Sequence, residues 1–198
     1  MAASAIRELR ELAPERSLIL AESGAVDPGH RAPFSDYPKD TAGGILHDVL
    51  FAPFFAGSAG PGQCWHWDFY LDKNNLWHHF CPFAAMVDGL NPAEEKFVPH
   101  FSETSLFRVY ELRGKSLRLY WLRDAEFDWK AELRGGQSAP LREGGAWLPP
   151  EFQPAGPWDF LDPWESSPHW QSAADDTEGV ILPPWRRSII LRQQIAGV

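Results

Sequence analysis

Glu22 combines a residue type and a position that could do chemistry. It follows the short apolar run 18–21 and precedes Ser23 and Gly24, where a buried strand would end and a glycine-containing loop would begin. In α/β proteins such strand ends carry functional groups, because the strand fixes the side chain while the loop admits substrate. Glu22 is therefore the first candidate for a catalytic residue.

A second strand end repeats this pattern further along the chain. It consists of Cys64, Trp65, His66, Trp67 and Asp68. The strand predicted over 63–68 is separated from the one over 17–22 by a predicted helix, so the two are expected to be parallel neighbours about 4.8 Å apart. Their carboxyl ends would then form one wall of a pocket lined by aromatic and acidic side chains.

Composition limits the class of protein. The chain has 198 residues, of which 44% are hydrophobic and 23% are charged, as is usual for globular domains. No apolar run approaches the roughly 20 residues needed to cross a bilayer. The formal net charge is −9, which argues against a surface that binds phosphate groups. We therefore expect neither a membrane nor a nucleic acid as partner.

Helices and strands are predicted to alternate in the first half. An amphipathic helix over 3–13, which lacks the apolar core of an export signal, precedes the first strand. Asp40 or Thr41 can cap a second helix that ends near residue 56, and a third helix begins at Asn74 or Asn75. This order is typical of βα units with a parallel sheet. The sequence indicates no particular compartment.

The second half has the pattern of an antiparallel sheet. Strands are predicted over 105–112 and 116–123 with a hairpin turn between them, and over 180–182 and 188–192 at the end of the chain. We predict an α/β plus all-β protein. Residues 1–98 would form a partial (β/α) barrel ending with two βα units, and residues 99–198 a small antiparallel β-sandwich.

The organisation of the chain resembles the C-terminal part of a TIM-barrel glycoside hydrolase of the cellulase and mannanase clan, with the β-sandwich often appended to such barrels. Run 18–24 is similar to strand seven with its nucleophile. Runs 46–51, 57–60 and 65–68 are similar to helix seven and strand eight. Run 182–189 is a weaker match to the last strands of the accessory sandwich.

The resemblance implies roles for the candidate residues. Glu22 would be the catalytic nucleophile, and Trp65 and Trp67 would form the platform under the sugar, since aromatic faces stack on the C–H groups of a pyranose. His66 and Asp68 would be polar groups at the rim. The partner would be an oligo- or polysaccharide, and no cofactor is expected. Members of this family are commonly exported.

The sequence also departs from the family pattern. Retaining glycosidases need a second carboxylate roughly 5 Å from the first, which the family supplies from strand four, usually after asparagine. This chain has no Asn-Glu pair, and a closed barrel takes about 250 residues. We expect a fragment, or a subunit whose barrel a second chain completes. Within the chain, Asp68 or Asp72 could approach Glu22.

Two other interpretations stay open at this point. The chain could be a non-catalytic carbohydrate-binding or interaction module that keeps an aromatic face, or a truncated product of a longer reading frame. Several of the ten tryptophans, such as Trp158 and Trp164, lie in loop-like sequence where a sugar-stacking or domain-docking role is plausible. His66, His78 and His79 are close in sequence, but no pair shares one helix face, so no metal site is expected.

Overall fold

The chain divides into two compact units in the computed structural model, which describes residues 2–27, 29, 31–149, 156–176 and 179–195. Unit 1 comprises Met1–Phe83 and Trp129–Gln137, and unit 2 comprises Ala84–Asp128 and Ser138–Val198. The boundary expected between residues 98 and 99 lies within unit 2 by this division. A short segment from the second half of the chain belongs to unit 1.

Helices occupy most of the regular structure before residue 98. The α-helices are α1 Ala2–Leu12, α2 Gly44–Phe55, α3 Phe80–Val87, α4 Pro92–Glu95 and α5 Trp129–Leu133. Two 3-10 helices cover Tyr37–Lys39 and Trp77–His79, and a π-helix covers Trp67–Asp72. Within the described ranges, no helix has the length and apolar character that a membrane crossing requires.

Helices α1 and α2 confirm two predictions from the sequence. In α1, Ile6 is fully buried, whereas Leu9 and Leu12 of the same predicted stripe are exposed. Helix α2 is apolar on nearly every side, and its residues from Leu46 to Phe55 are buried except Asp48, as expected of a helix without a polar face. The two helices pack together, and Arg10 Nη1 donates to Gly57 O at 3.2 Å.

The strands expected over 17–22 and 63–68 are not formed. The two segments meet in an isolated parallel bridge between Ser23 and Cys64, and this is the one parallel pairing among the described residues. After Trp65 the chain bends into the π-helix, which buries Tyr70 and Leu71. The local preference of residues 64–67, from which a strand was predicted, is overridden by this tertiary burial.

Unit 2 confirms the prediction of an antiparallel second half. Its strands are β1 Val98–Glu103, β2 Phe107–Arg113, β3 Leu117–Asp124, β4 Gly145–Trp147, β5 Trp158–Leu161, β6 Gln171–Ala173, β7 Asp175–Asp176, β8 Gly179–Leu182 and β9 Ser188–Gln194. A six-stranded sheet has the order β1-β2-β3-β9-β5-β6, and a three-stranded sheet has the order β4-β8-β7. Each pair of neighbouring strands is antiparallel.

The predicted hairpin of β2 and β3 closes at Gly114. Its register pairs Tyr110 with Trp121, and Gly114 N donates to Leu117 O at 2.9 Å. A Cβ at position 114 would lie 2.8 Å from that same oxygen, closer than side chains tolerate. Glycine is therefore required for the chain to turn here.

Side chains from both sheets share one core in unit 2. The core consists of Val109, Tyr120, Leu122, Trp147, Trp158, Val180, Leu182, Trp185, Ile189 and Leu191. Because β3 and β9 are central strands, both of their faces are buried: Leu119, Trp121 and Ile190 on the other face are also inaccessible to solvent. The sequence left a sugar-stacking or domain-docking role open for Trp158. In the structure this side chain belongs to the core.

Candidate functional site

Two segments of unit 1 lie side by side and carry the candidate residues. Ser23 N donates to Gln63 O, and Trp65 N donates to Ser23 O, both at 2.8 Å. On the N-terminal side of this bridge, Gln63 N donates to Leu20 O at 3.1 Å. The two segments are thus parallel neighbours at one bridge, but the parallel strands predicted over 17–22 and 63–68 are not formed.

Glu22 and Trp65 flank the bridge on opposite sides of the paired residues Ser23 and Cys64. Glu22 directly precedes Ser23 and Trp65 directly follows Cys64, so both candidate residues lie next to the bridge. Glu22 is exposed, and Trp65 is 58% exposed. A carboxylate and an indole face are therefore both accessible at this edge.

His66, unlike its two indole neighbours, is buried. Its Nδ1 lies 3.3 Å from the hydroxyl oxygen of Tyr37, and a Cβ at position 24 would lie 2.8 Å from the same nitrogen. Gly24 is thus required for the loop after Glu22 to pass close to this ring. Desolvation lowers the pKa of His66, while the charge of Asp68 opposes that effect, so the imidazole is neutral at neutral pH.

Trp67 and Asp68 begin the π-helix and face solvent. Trp67 is 58% exposed, and Asp68 Oδ1 accepts a hydrogen bond from Phe69 N at 2.8 Å. Phe69 and Trp77 are likewise exposed, and Trp77 stacks on Phe80 with ring centroids 6.0 Å apart. Residues 65–77 therefore present four accessible aromatic side chains in a short stretch of chain.

A buried carboxylate and a buried phenol hold the start of α2. Asp40 accepts from Gly44 N and Ile45 N, each at 2.8 Å, and Tyr70 OH accepts from Leu46 N at 3.0 Å. Tyr70 in turn donates to Asp40 Oδ2 at 2.5 Å. The first three N–H groups of α2, which have no acceptor within the helix, are thereby satisfied. The N-cap residue is Gly43, so Asp40 performs the predicted capping through its side chain, from three residues further upstream.

Tyr37 connects this capping network to His66. Its ring stacks on Tyr70 at a centroid distance of 4.1 Å, and its oxygen accepts from Ala25 N at 2.7 Å. Burial raises the pKa of both Tyr37 and Tyr70 far above the usual value, so both remain neutral phenols that can donate. Neither tyrosine could be assigned to this network from the sequence, because their partners lie many residues away.

The network makes a prediction about pH. Burial raises the pKa of Asp40 above 3.8, against the hydrogen bonds from Tyr70, Ile45 and Gly44. The folded chain therefore binds this proton more tightly than the unfolded chain, and the free energy of unfolding falls as pH rises from 3.8 through the raised pKa. In Asp40→Asn this component is removed. Urea unfolding of both proteins from about pH 3 to 7 measures the difference; identical pH slopes would contradict it.

Segment 129–137 packs on the loop that carries Tyr37. Phe34 and Trp129 make an edge-to-face contact with centroids 5.2 Å apart, and Arg134 Nε lies 2.8 Å from Asp36 Oδ2. Hydrogen bonds from Lys39 and Arg134 hold the pKa of Asp36 below its usual value. This segment was not assigned to the site from the sequence, since nearly a hundred residues separate Arg134 from its partner.

Arg134→Met is expected to loosen this loop. The substitution keeps the aliphatic stem but removes both the ion pair with Asp36 and the guanidinium over Trp129, 5.1 Å from its ring centroid. Amide hydrogen exchange over 31–40 should become several-fold faster while exchange in β3 and β9 is unchanged. Lys39→Met is the matched control, since Lys39 is 58% exposed and binds the same carboxylate from only three residues away. Equal effects of the two variants would argue against this role for segment 129–137.

The histidine and cysteine side chains of the described residues form no metal-binding cluster. Within the described ranges, no group of three or more His, Cys, Asp and Glu side chains could hold a metal ion. His66 and His79 are buried, whereas His78 is exposed and its Nδ1 lies 3.0 Å from Asn75 O. Cys64 and Cys81 are free thiols. The groups available for chemistry at this edge are therefore carboxylates, one imidazole, the Cys64 thiol and aromatic faces.

No protein-family profile matches the sequence, and no curated protein shows significant similarity to it.

Proposed function

We propose that the chain is the C-terminal part of a retaining glycosidase of the TIM-barrel type, with Glu22 as nucleophile and Trp65 and Trp67 as the sugar platform. The observation that carries the proposal is the parallel bridge of Ser23 with Cys64. This bridge brings the backbone of Glu22, the residue before Ser23, close to that of Trp65, the residue after Cys64. Parallel neighbours that end on one edge are the arrangement by which a (β/α) barrel builds its active site.

The proposed chemistry is attack of the Glu22 carboxylate on the anomeric carbon. The bond to the leaving oxygen breaks as the glycosyl ester forms, and water then hydrolyses that ester. A second carboxylate, roughly 5 Å away, would protonate the leaving group and later deprotonate the water. In this proposal that acid/base residue comes from a second chain or from a barrel segment outside these residues, which would also cover the open edge.

The exposed indoles support a sugar as the ligand. Trp65 and Trp67 leave more than half of their surface accessible, and exposed apolar surface of this kind often marks a binding site. Indole faces match the C–H face of a pyranose, and the adjacent Asp68 offers carboxylate oxygens to hydroxyl groups. The formal charge of −9 favours a neutral or cationic sugar over an acidic one.

An activated substrate tests the nucleophile without the acid/base residue. Dinitrophenolate leaves without protonation, so 2,4-dinitrophenyl 2-deoxy-2-fluoro-β-glucoside and the corresponding mannoside require only a placed carboxylate. We expect mass spectrometry to find a glycosyl ester on the peptide that contains Glu22. Glu22→Gln should lose the label, while Glu15→Gln, which changes another exposed carboxylate, should keep it. Labelling that persists in Glu22→Gln would remove the nucleophile assignment.

The four exposed aromatic side chains within 65–77 favour a second candidate, a non-catalytic carbohydrate-binding module. If the chain has that function, the unmutated protein should bind cellohexaose or mannohexaose without being labelled by either fluoroglycoside. Trp67→Ala should then abolish the binding. Phe101→Ala is the matched control, because Phe101 is an exposed aromatic residue of unit 2. Isothermal titration calorimetry, together with the labelling experiment, separates the two functions.

A further inference from the structure

The ring of His66 is fixed on one side by the loop that follows Glu22. Its Nδ1 faces the Tyr37 hydroxyl at 3.3 Å, and Gly24 passes so close that a Cβ there would lie 2.8 Å from Nδ1 and 3.3 Å from Cε1. The backbone O of His66 also accepts from Tyr70 N at 3.0 Å. The imidazole is thus held between the loop and the π-helix.

The hydrogen bonds of Tyr37 determine the tautomer of His66. Ala25 N–H donates to the phenol oxygen at 2.7 Å, so the phenol's own proton is directed to the remaining partner, Nδ1 of His66. Nδ1 therefore accepts. In a neutral imidazole one nitrogen accepts and the other carries the proton, which assigns the proton to Nε2.

Nε2 is left available for a ligand. Within the described part of the chain, the His66 ring makes one hydrogen bond, through Nδ1, and 7% of the residue is accessible to solvent. The carboxylate of Asp68 is the charged group whose field acts on this ring. A fixed N–H donor and an exposed carboxylate are therefore two residues apart in the stretch between Trp65 and Phe69.

We infer that His66 and Asp68 together bind one free hydroxyl group of the sugar, with His66 Nε2–H donating to the hydroxyl oxygen and the hydroxyl donating to Asp68. A hydroxyl group can fill both roles at once, whereas an ether or ester at that carbon has no proton for the carboxylate. The substrate class is thereby narrowed to sugars that are unsubstituted at this position. The inference rests on the proposed sugar site and makes His66 a specificity-determining residue.

The tautomer can be tested without any sugar. Long-range proton–nitrogen correlation spectra of the ¹⁵N-histidine-labelled chain near neutral pH should show His66 protonated on Nε2. His78 is the internal control: its Nδ1 faces the carbonyl of Asn75 at 3.0 Å, which can only accept, so it should carry its proton on Nδ1. Tyr37→Phe should mix the two tautomers of His66. A His66 protonated on Nδ1 in the unmutated chain would overturn the inference, whatever binds at the site.

The donor role is tested by titrating cellohexaose and mannohexaose into two variants. His66→Gln keeps a side-chain N–H and should retain affinity, whereas His66→Phe keeps a planar ring without the donor and should bind about fivefold more weakly, the effect of one neutral hydrogen bond. Unchanged amide exchange in α2 confirms that both variants fold. Methylation of the sugar hydroxyls should abolish the difference between the unmutated chain and His66→Phe.

The outcomes separate this inference from the proposed function. If Trp65→Ala loses sugar binding while His66→Phe binds as tightly as the unmutated chain, the inference fails and the sugar site stands. If the unmutated chain binds neither oligosaccharide and is not labelled, the proposed function fails and the inference with it. Weaker binding by His66→Phe and retained binding by His66→Gln, together with the Nε2–H tautomer, support it.

Discussion

Asp124→Ala is expected to destabilise unit 2 by about 3 to 5 kcal/mol, because it leaves a paired arginine without its main acceptor. The Asp124 side chain is completely buried. Both of its oxygens accept from Arg142, at 2.7 Å each, and Oδ1 also accepts from Glu126 N and Phe127 N. These bonds fix the end of β3 and raise the pKa of Arg142.

The same carboxylate stabilises a second part of the fold through Arg142. The backbone of Arg142 exchanges two hydrogen bonds with Trp185, at 2.8 and 3.0 Å, and Trp185 belongs to the core of unit 2. Loss of Asp124 therefore affects both the strand end and the chain that packs against it. Urea unfolding, followed by amide exchange in β3 and β9, measures the change.

Glu126→Gln is the matched control for Asp124. Glu126 Oε2 accepts from the same guanidinium at 2.8 Å, but its side chain is 61% exposed. Exposed ion pairs contribute little, so this variant should lose less than about 1 kcal/mol. If the two variants lose similar stability, the burial of Asp124 is not the source of its effect.

Asp40→Ala is expected to destabilise unit 1 by about 3 kcal/mol, the sum of a lost helix cap and an unsatisfied buried phenol. Gly44 N and Ile45 N would lose their acceptor, and Tyr70 OH would lose the group to which it donates. Relief of the carboxylate's desolvation offsets part of this loss, but several unsatisfied polar groups outweigh one buried charge. Amide exchange of α2 measures the effect directly.

Thr41→Ala is the control for the Asp40 variant. Thr41 is the neighbouring residue, is exposed, and was the alternative cap in the sequence interpretation. Because its backbone N bonds Lys39 O at 2.9 Å, an interaction that alanine retains, the change should stay within about 0.5 kcal/mol. A larger loss in Thr41→Ala than in Asp40→Ala would contradict the capping network.

Local signals were sufficient for several elements of the fold. The apolar spacing around Ile6 predicted α1, the carboxylate of Asp40 before an apolar run predicted the start of α2, and alternation on either side of Gly114 predicted the hairpin of β2 and β3. Each of these elements is specified by residues that are close in sequence, either through a periodic apolar pattern or through a local capping or turn residue.

Two features of the candidate site, the π-helix and the role of Tyr37, could not be predicted from the sequence. A parallel neighbourhood of 17–22 and 63–68 was expected, and the structure reduces it to one bridge between Ser23 and Cys64. The π-helix after His66 was not expected, because it depends on burial of Tyr70 against Tyr37 and Asp40. The role of Tyr37 depends on a contact with His66 from 29 positions away. Tertiary contacts of this kind leave no local periodicity, so only a structure brings them together.

The assignment of α5 to unit 1 has a consequence for biosynthesis. A ribosome delivers residues in order, and domains tend to fold as they emerge. Unit 1 can acquire Trp129 and Arg134 only after β1, β2 and β3 have been made. The edge that carries Glu22 and His66 would then reach its final form only after strands β1, β2 and β3 have left the exit tunnel.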